Sequence, residues 1–280
     1  METVKITAAD VNKLRQQTGA GMMDCKKALV EANGDFEVAT DLLRKKGQKV
    51  AAKRGENETK EGFILAQTTE DGKLGVIMTL NCETDFVAKN ESYGAFVNEI
   101  MTIAIKELPE TSEALLQLPF NDKLTIEQKI VEQIGVIGEK LVLSNYAKIS
   151  GEKVVAYNHP GNQIASLVAL NKDGSEEIFE AGRQVAMQVA AMAPLALNKE
   201  GISQETIDRE IEVGKELAIQ EGKPAEMAEK IANGRLNKFF QENTLLSQPF
   251  IRDNKSSVEQ FLNSVEKGLT AVNFKRFTLS

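Results

Sequence analysis

The sequence predicts an α+β protein with antiparallel sheets, and three observations predict it. The first 54 residues carry helical periods broken by glycine turns, a β-hairpin followed by a helix occurs twice, and residues 203–242 read as two helices around one tight turn. The chain has 280 residues, 42% hydrophobic and 27% charged, which suits two or three modules with a core that needs neither disulfide nor metal. Cys25 and Cys82 are far apart and form no Cys-x-x-Cys pair, so they read as reduced, buried thiols. No apolar run approaches the ~18 residues of a membrane span, and no basic-then-apolar leader opens the chain. The expectation is a soluble, cytoplasmic protein without a transit peptide.

Residues 1–55 are expected to form a small helical module. Thr7-Ala8-Ala9-Asp10 is a capping box with a shorter acid, and Val11, Leu14 and Thr18 follow on one face. Gly19-Ala20-Gly21 breaks the chain. Met22, Met23, Cys25, Ala28 and Leu29 mark a second helix that stops at Asn33-Gly34. Asp35 can cap a third, with Phe36, Ala39, Leu42 and Leu43 inward and Gly47 near its end. The basic strip from Arg44 to Arg54 reads as that helix's C-terminal end running into solvent rather than as a docking strip. Residues 55–61 are polar and glycine-led, as in a linker.

Two core units follow, over 56–140 and 141–280. Gly62–Thr69 and Lys73–Cys82 flank Glu70-Asp71-Gly72, a hairpin turn, and a helix is expected from Ala88 to Lys106. Ile126, Ile130, Ile134 and Ile137 keep helical spacing, and Leu141–Ile149 suits a strand. The pattern then repeats: Val154–Asn158 and Gln163–Asn171 flank His159-Pro160-Gly161-Asn162, and Glu176–Ala193 is helical. Such duplication suggests helices packed on antiparallel sheets. In 203–242, Ile207, Ile211, Gly214 and Ala218 face Met227, Ile231, Leu236 and Phe239 across Gly222-Lys223-Pro224, an antiparallel coiled-coil hairpin. The last segment, 248–280, holds a short helix (Ser256–Ser264) and a closing strand (Val272–Leu279).

Little here can do covalent chemistry. His159 is the one histidine, so any His-dependent dyad or metal site would rest on it. Gly19-Ala20-Gly21 follows a helix, not a strand, and has Asp24 where a dinucleotide fingerprint needs glycine. No Walker motif is present, and Glu83 with Asp85 is too weak a pattern for a metal site. The net charge of −7 opposes broad nucleic-acid binding. The chain therefore reads as no enzyme, with no cofactor or metal of its own.

One corner is different. Asn81-Cys82-Glu83-Thr84-Asp85-Phe86-Val87-Ala88-Lys89-Asn90 joins a strand to a helix, and Thr84 or Asp85 can cap that helix. Phe86 would lie in its first turn, either as a core plug or as a probe aimed at a partner. Local chemistry by itself favours the plug, because apolar residues near element ends usually pack inward.

Two long stretches change that balance. Leu14-Arg15-Gln16-Gln17-Thr18-Gly19-Ala20-Gly21-Met22-Met23-Asp24-Cys25-Lys26-Lys27-Ala28-Leu29 resembles the N-terminal signature of the elongation factor Ts family. Asn81 to Lys89 resembles its second signature, and the likeness continues through Gly222-Lys223-Pro224, Gly234-Arg235-Leu236, Gln248-Pro249-Phe250 and Phe274-Lys275-Arg276-Phe277. Thr79 stands where an acidic residue is common in the family.

The resemblance implies a guanine-nucleotide exchange factor for the GTPase elongation factor Tu. It also implies that residues 1–55 are a ubiquitin-associated-like module, with Arg15, Met22 and Met23 at partner-contact positions. Thr84, Asp85, Phe86 and Val87 then match the segment that intrudes beside the partner's Mg²⁺ and phosphate site, and His159 matches another interface residue. The implied assembly is a heterodimer or a dimer of heterodimers, with no nucleic acid and no membrane as partner. Three rivals differ in what they require. An adaptor would bind a GTPase without accelerating nucleotide release, a metalloenzyme would use Glu83, Asp85 and His159, and RNA binding would use 44–54.

Overall fold

The computed structural model describes residues 4–279. Three helices open the chain: α1 (Ala8–Thr18), α2 (Met22–Glu31) and α3 (Phe36–Lys53). Thr7 caps α1 reciprocally, its hydroxyl accepting the Asp10 N–H at 3.2 Å while the Asp10 carboxylate accepts the Thr7 N–H at 2.9 Å. Asp35 caps α3 by accepting the N–H groups of Glu37 and Val38. Val11, Leu14, Cys25, Leu29 and Ala39 give this unit its own core.

Strands β1 (Glu61–Thr68), β2 (Leu74–Cys82) and β3 (Val142–Ser150) form one antiparallel sheet with β2 in the middle. Strands β4 (Lys153–Asn158), β5 (Ile164–Leu170) and β6 (Ala271–Thr278) form a second, with β5 in the middle. The sheets pack face to face through Ile64, Ile77 and Ile149 on one side and Val154, Leu167 and Ala169 on the other. Between β2 and β3 lie the one-turn α4 (Asp85–Ala88), α5 (Glu91–Glu107), α6 (Ser112–Gln117) and α7 (Ile126–Ile137). Helix α5 covers the outer face of the first sheet, and α8 (Glu176–Met192) covers that of the second. Both middle strands are therefore buried on two faces, which is why their apolar runs are nearly continuous.

Strand β3 pairs along β2 from Leu74↔Ser150 to Asn81↔Val142, which carries residues 142–150 into the first sheet. That pairing spans some sixty residues of chain and has no local signal. Gly47 is expected near the end of α3, but the helix runs on six residues further to Lys53, and Gly47 is where α7 crosses it. A Cβ on Gly47 would lie 2.7 Å from the Val131 carbonyl oxygen, and one on Gly135 would lie 2.6 Å from the Gly47 Cα. Two facing glycines permit that backbone contact at the expense of helix propensity. The strip Arg44–Arg54 thus belongs to α3, where Arg44, Lys46 and Arg54 pair with Asp41, Asp24 and Glu83.

A second correction concerns α9 (Gln204–Gln220) and α10 (Ala225–Asn243), which pack on each other. Gly214 and Ala218 of α9 are buried as expected, and Gly214 faces Ala232 of α10, where Ala228 is buried as well and Met227 is 51% exposed. Small residues let the two helices approach closely there, and Met227 lies off the contact face. Helix α11 (Val258–Val265) packs under α8 through Val258 and Leu262. Among the described residues, no helix is long and apolar enough to cross a membrane.

Candidate functional site: the corner after β2

The corner begins inside β2, where the pairing to β3 slips between Thr79 and Leu80. The Cys82 thiol then donates to the Thr84 carbonyl oxygen at 3.2 Å, and burial pushes its pKa up to about 11, so it stays a neutral donor. Thr84 caps α4, its hydroxyl accepting the Val87 N–H at a long 3.5 Å. The sequence suggests one helix from Ala88 to Lys106. Instead α4 stops at Lys89, and Asn90 starts α5 by accepting the Ser92 N–H at 2.9 Å. A second cap within six residues makes a kinked corner out of what the apolar period alone reads as continuous helix.

Within α4 the side chains diverge. Val87 packs against the core beneath α5. Asp85 pairs with Lys89 at 2.7 Å, and the hydrogen bond from that ammonium holds its carboxyl below its ordinary pKa. Phe86 points into solvent and is 85% exposed. The core-plug expectation is wrong. Burying a phenyl ring is worth about 2–3 kcal/mol, which this fold leaves unused.

Two carboxylates hold the corner from below. Glu139 Oε2 accepts the N–H groups of Glu83 and Thr84, each at 3.1 Å, and its Oε1 accepts the Thr84 hydroxyl at 2.6 Å. Glu83 returns the exchange: its Oε1 accepts the Lys140 N–H at 2.6 Å, and its Oε2 accepts Arg54 at 2.7 Å and Asn57 at 2.9 Å. Burial by itself would raise the Glu83 pKa, but the bonds from Lys140, Asn57 and Arg54 outweigh it and hold the carboxyl below its ordinary value. Lys140 Nζ also donates to the Gly55 and Asn57 carbonyl oxygens at 2.6 and 3.0 Å. Arg54, Asn57, Glu139 and Lys140 are absent from the sequence-derived site. The nearest signal is Gly138, whose φ of 83° ends α7 one residue before Glu139.

The other expected residues sit elsewhere. Arg15 is exposed on α1, and Met22 and Met23, 51% and 65% exposed, begin α2. His159 is exposed in the β4–β5 turn, its Nδ1 2.9 Å from the Tyr157 hydroxyl oxygen, on the rim of a groove of about 270 Å³ floored by Ile164, Met187 and Ala190. The same turn closes the free edge of β1. Asn158 Oδ1 accepts the Ala66 N–H and the Asn162 carbonyl accepts the Ile64 N–H, both at 2.8 Å. Among the described residues, no hydrogen bond or ion pair joins these three groups directly; Arg54–Glu83 links α3 to the corner.

Chemically the arrangement presents rather than reacts. Glu83 is filled by donors and Asp85 is paired with Lys89, so neither is placed as a free base. Among the described residues, no group of three or more His, Cys, Asp or Glu is placed to hold a metal.

Comparison with known proteins agrees with the two signatures. The family model described as "Elongation factor TS" matches residues 83–280. A protein named Elongation factor Ts from Amoebophilus asiaticus is 51% identical over 271 residues, 97% of this chain and 98% of that one. One of the same name from Cytophaga hutchinsonii is 50% identical over 275 residues, covering 98% and 99% of the two chains. A third, from Chlorobaculum tepidum, is 40% identical over 279 residues, covering 98% and 97%. The chain belongs to the elongation factor Ts family.

Proposed function

We propose that this chain exchanges guanine nucleotide on elongation factor Tu by presenting Phe86, flanked by Thr84, Asp85 and Val87, to the partner's Mg²⁺ and phosphate site. The observation that carries this reading is the exposed phenyl ring on a one-turn helix held from below by carboxylates. A bound nucleotide leaves slowly because phosphate contacts and metal coordination must break together. A wedge that fits the partner better when the site is empty removes that obstacle. By linkage, the factor it takes from nucleotide affinity is the factor the nucleotide takes from its own binding, so GTP expels it. No bond is made or broken in this chain, which acts without cofactor and not as an enzyme of its own chemistry.

Arg15, Met22 and Met23 form a second contact on the partner, on a ubiquitin-associated-like module over 1–55. His159, on its apolar groove, forms a third. The α9–α10 pair acts as an antiparallel coiled-coil arm. The core divides into two subdomains, 56–140 and 141–280, joined through β3, which pairs in the first sheet. The protein works in the cytoplasm as a heterodimer or a dimer of heterodimers, with no nucleic acid and no membrane as partner.

The test is release of a fluorescent GDP from elongation factor Tu with catalytic amounts of this protein. Turnover that falls sharply for Phe86→Ala supports the mechanism. Tight binding without acceleration would make the chain an adaptor and remove the role of Phe86.

A further inference from the structure

We infer that Glu139 is the positioning residue of the exchange corner: its carboxylate, delivered from the end of α7, fixes the direction in which Phe86 projects. This rests on the reading of Phe86 as the acting group and concerns how that group is aimed.

Three donors from two consecutive residues converge on one carboxylate. The Glu83 and Thr84 N–H groups and the Thr84 hydroxyl all reach Glu139, at 3.1, 3.1 and 2.6 Å. The intrinsic structure of the corner is weak by comparison. Helix α4 is four residues long and its cap bond is 3.5 Å, so by itself such a turn frays. Thr84 is the cap, and fixing both its backbone and its hydroxyl fixes the axis of the turn that carries Phe86. Charge-assisted bonds to backbone N–H groups are about twice as strong as neutral ones, which suits a carboxylate here better than an amide.

The other end of the tie is rigid. Glu139 follows Gly138, which ends α7, and α7 crosses α3 at the Gly47–Gly135 contact. Glu83 completes the frame through Arg54, the C-cap of α3. The ring is therefore aimed by α3 and α7 together, and α3 belongs to the unit that carries Arg15, Met22 and Met23. Preorganisation of this kind removes an ordering cost from the insertion of the ring, the step that follows docking.

The experiment is the same GDP-release assay on the full chain, run to saturation with wild type, Glu139→Ala, Glu139→Gln, Phe86→Ala and Phe86→Ala/Glu139→Ala, beside a thermal melt of each. Glu139→Ala should lower the maximal release rate by roughly tenfold, with a smaller change in the half-saturating concentration, because the residue acts after docking. Glu139→Gln keeps one acceptor oxygen and should recover most of the rate, leaving a loss of about two- to threefold. With Phe86 already removed, the Glu139 substitution should cost nothing more, which a merely structural role would not produce.

Wild-type release by folded Glu139→Ala, with Phe86→Ala slow, overturns the positioning role and leaves Phe86 in place. An equal further loss in the Phe86→Ala background also overturns it. A Phe86→Ala variant that releases GDP at the wild-type rate instead removes the role of Phe86 on which this positioning rests. Should Glu139→Ala not fold, Glu139→Gln decides: its loss must vanish in the Phe86→Ala background.

Discussion

The two hairpin-plus-helix units share a plan, and the corner where each middle strand leaves its sheet is where they part. After β2 the chain is held by Glu139 and Lys140, just before β3. After β5 it is held from just before β6: Asn171 bonds the Gly268 carbonyl and the Thr270 backbone, and Lys172 reaches Glu266 at 2.7 Å. Holding the exit from the entry of the third strand is thus a property of the fold. The cargo differs. The second corner carries Lys172, Asp173 and Gly174 and runs straight into α8 from its cap Ser175, and its nearest ring, Phe179, lies inside α8. The shared plan does not set how far a ring stands out: Phe86 is 85% exposed and Phe179 37%, so the outward ring is an addition particular to the first corner.

The largest effect should come from removing that addition. A ring worth about 2–3 kcal/mol when buried in a partner corresponds to a loss of roughly 30- to 150-fold in exchange for Phe86→Ala. Lys172→Ala at the matching corner should leave GDP release within about twofold of wild type, since a lysine in an exposed ion pair contributes little. Equal losses at both corners would erase the distinction drawn here.

The next comparison tests how each unit's helix is seated. Gly135→Ala would set a Cβ 2.6 Å from the Gly47 backbone, whereas Gly182→Ala in α8 would meet the Val155 side chain at 2.8 Å. Backbone cannot step aside as a methyl group can. We expect about 3 kcal/mol of destabilisation for Gly135→Ala and about 1 kcal/mol for Gly182→Ala, read from denaturant unfolding.

The first corner also carries a titrating tie. The Glu83 carboxyl is held below its ordinary value of 4.5, so its contribution is present above that pH and is lost as pH falls through the lowered value. Melting temperature followed from neutral to acid should therefore decline less steeply for Glu83→Gln than for wild type, from a lower starting point. Parallel curves would place the acid sensitivity elsewhere.

The smallest effect contrasts two buried hydroxyls in the middle strands. Ser166 donates to the Ala186 carbonyl oxygen at 2.7 Å, while Thr79 Oγ1 is buried with no partner among the described residues. Thr79→Val should stabilise by about 1 kcal/mol and Ser166→Ala should cost about as much, both measurable by thermal unfolding. Opposite signs at equivalent depth are the point of the pair.

Much of this architecture is legible in the sequence. The Thr7–Asp10 box, the Asp35 and Thr84 caps, the Asp71-Gly72 turn and the steps along α7 and α8 are written within a few residues of where they act. The likeness to a known family pointed to Phe86, but the residues that aim it stayed hidden. Glu139 lies 55 positions from Thr84, and nothing near it in sequence says that it faces a corner rather than water.

What the sequence determined by itself was most of the elements with their caps and turns, the repeated hairpin-plus-helix plan and the family, though not the break at Asn90 or the helix α6. Those depend on hydrogen bonds and apolar spacing that close over one or two turns of chain. Tertiary structure alone decided that β3 completes the first sheet, that Gly47 meets Gly135, that alanines rather than Met227 line the α9–α10 contact, and that Phe86 stands in solvent. Each of these is a choice among partners far away in the chain, settled by which surfaces the whole packing leaves facing one another.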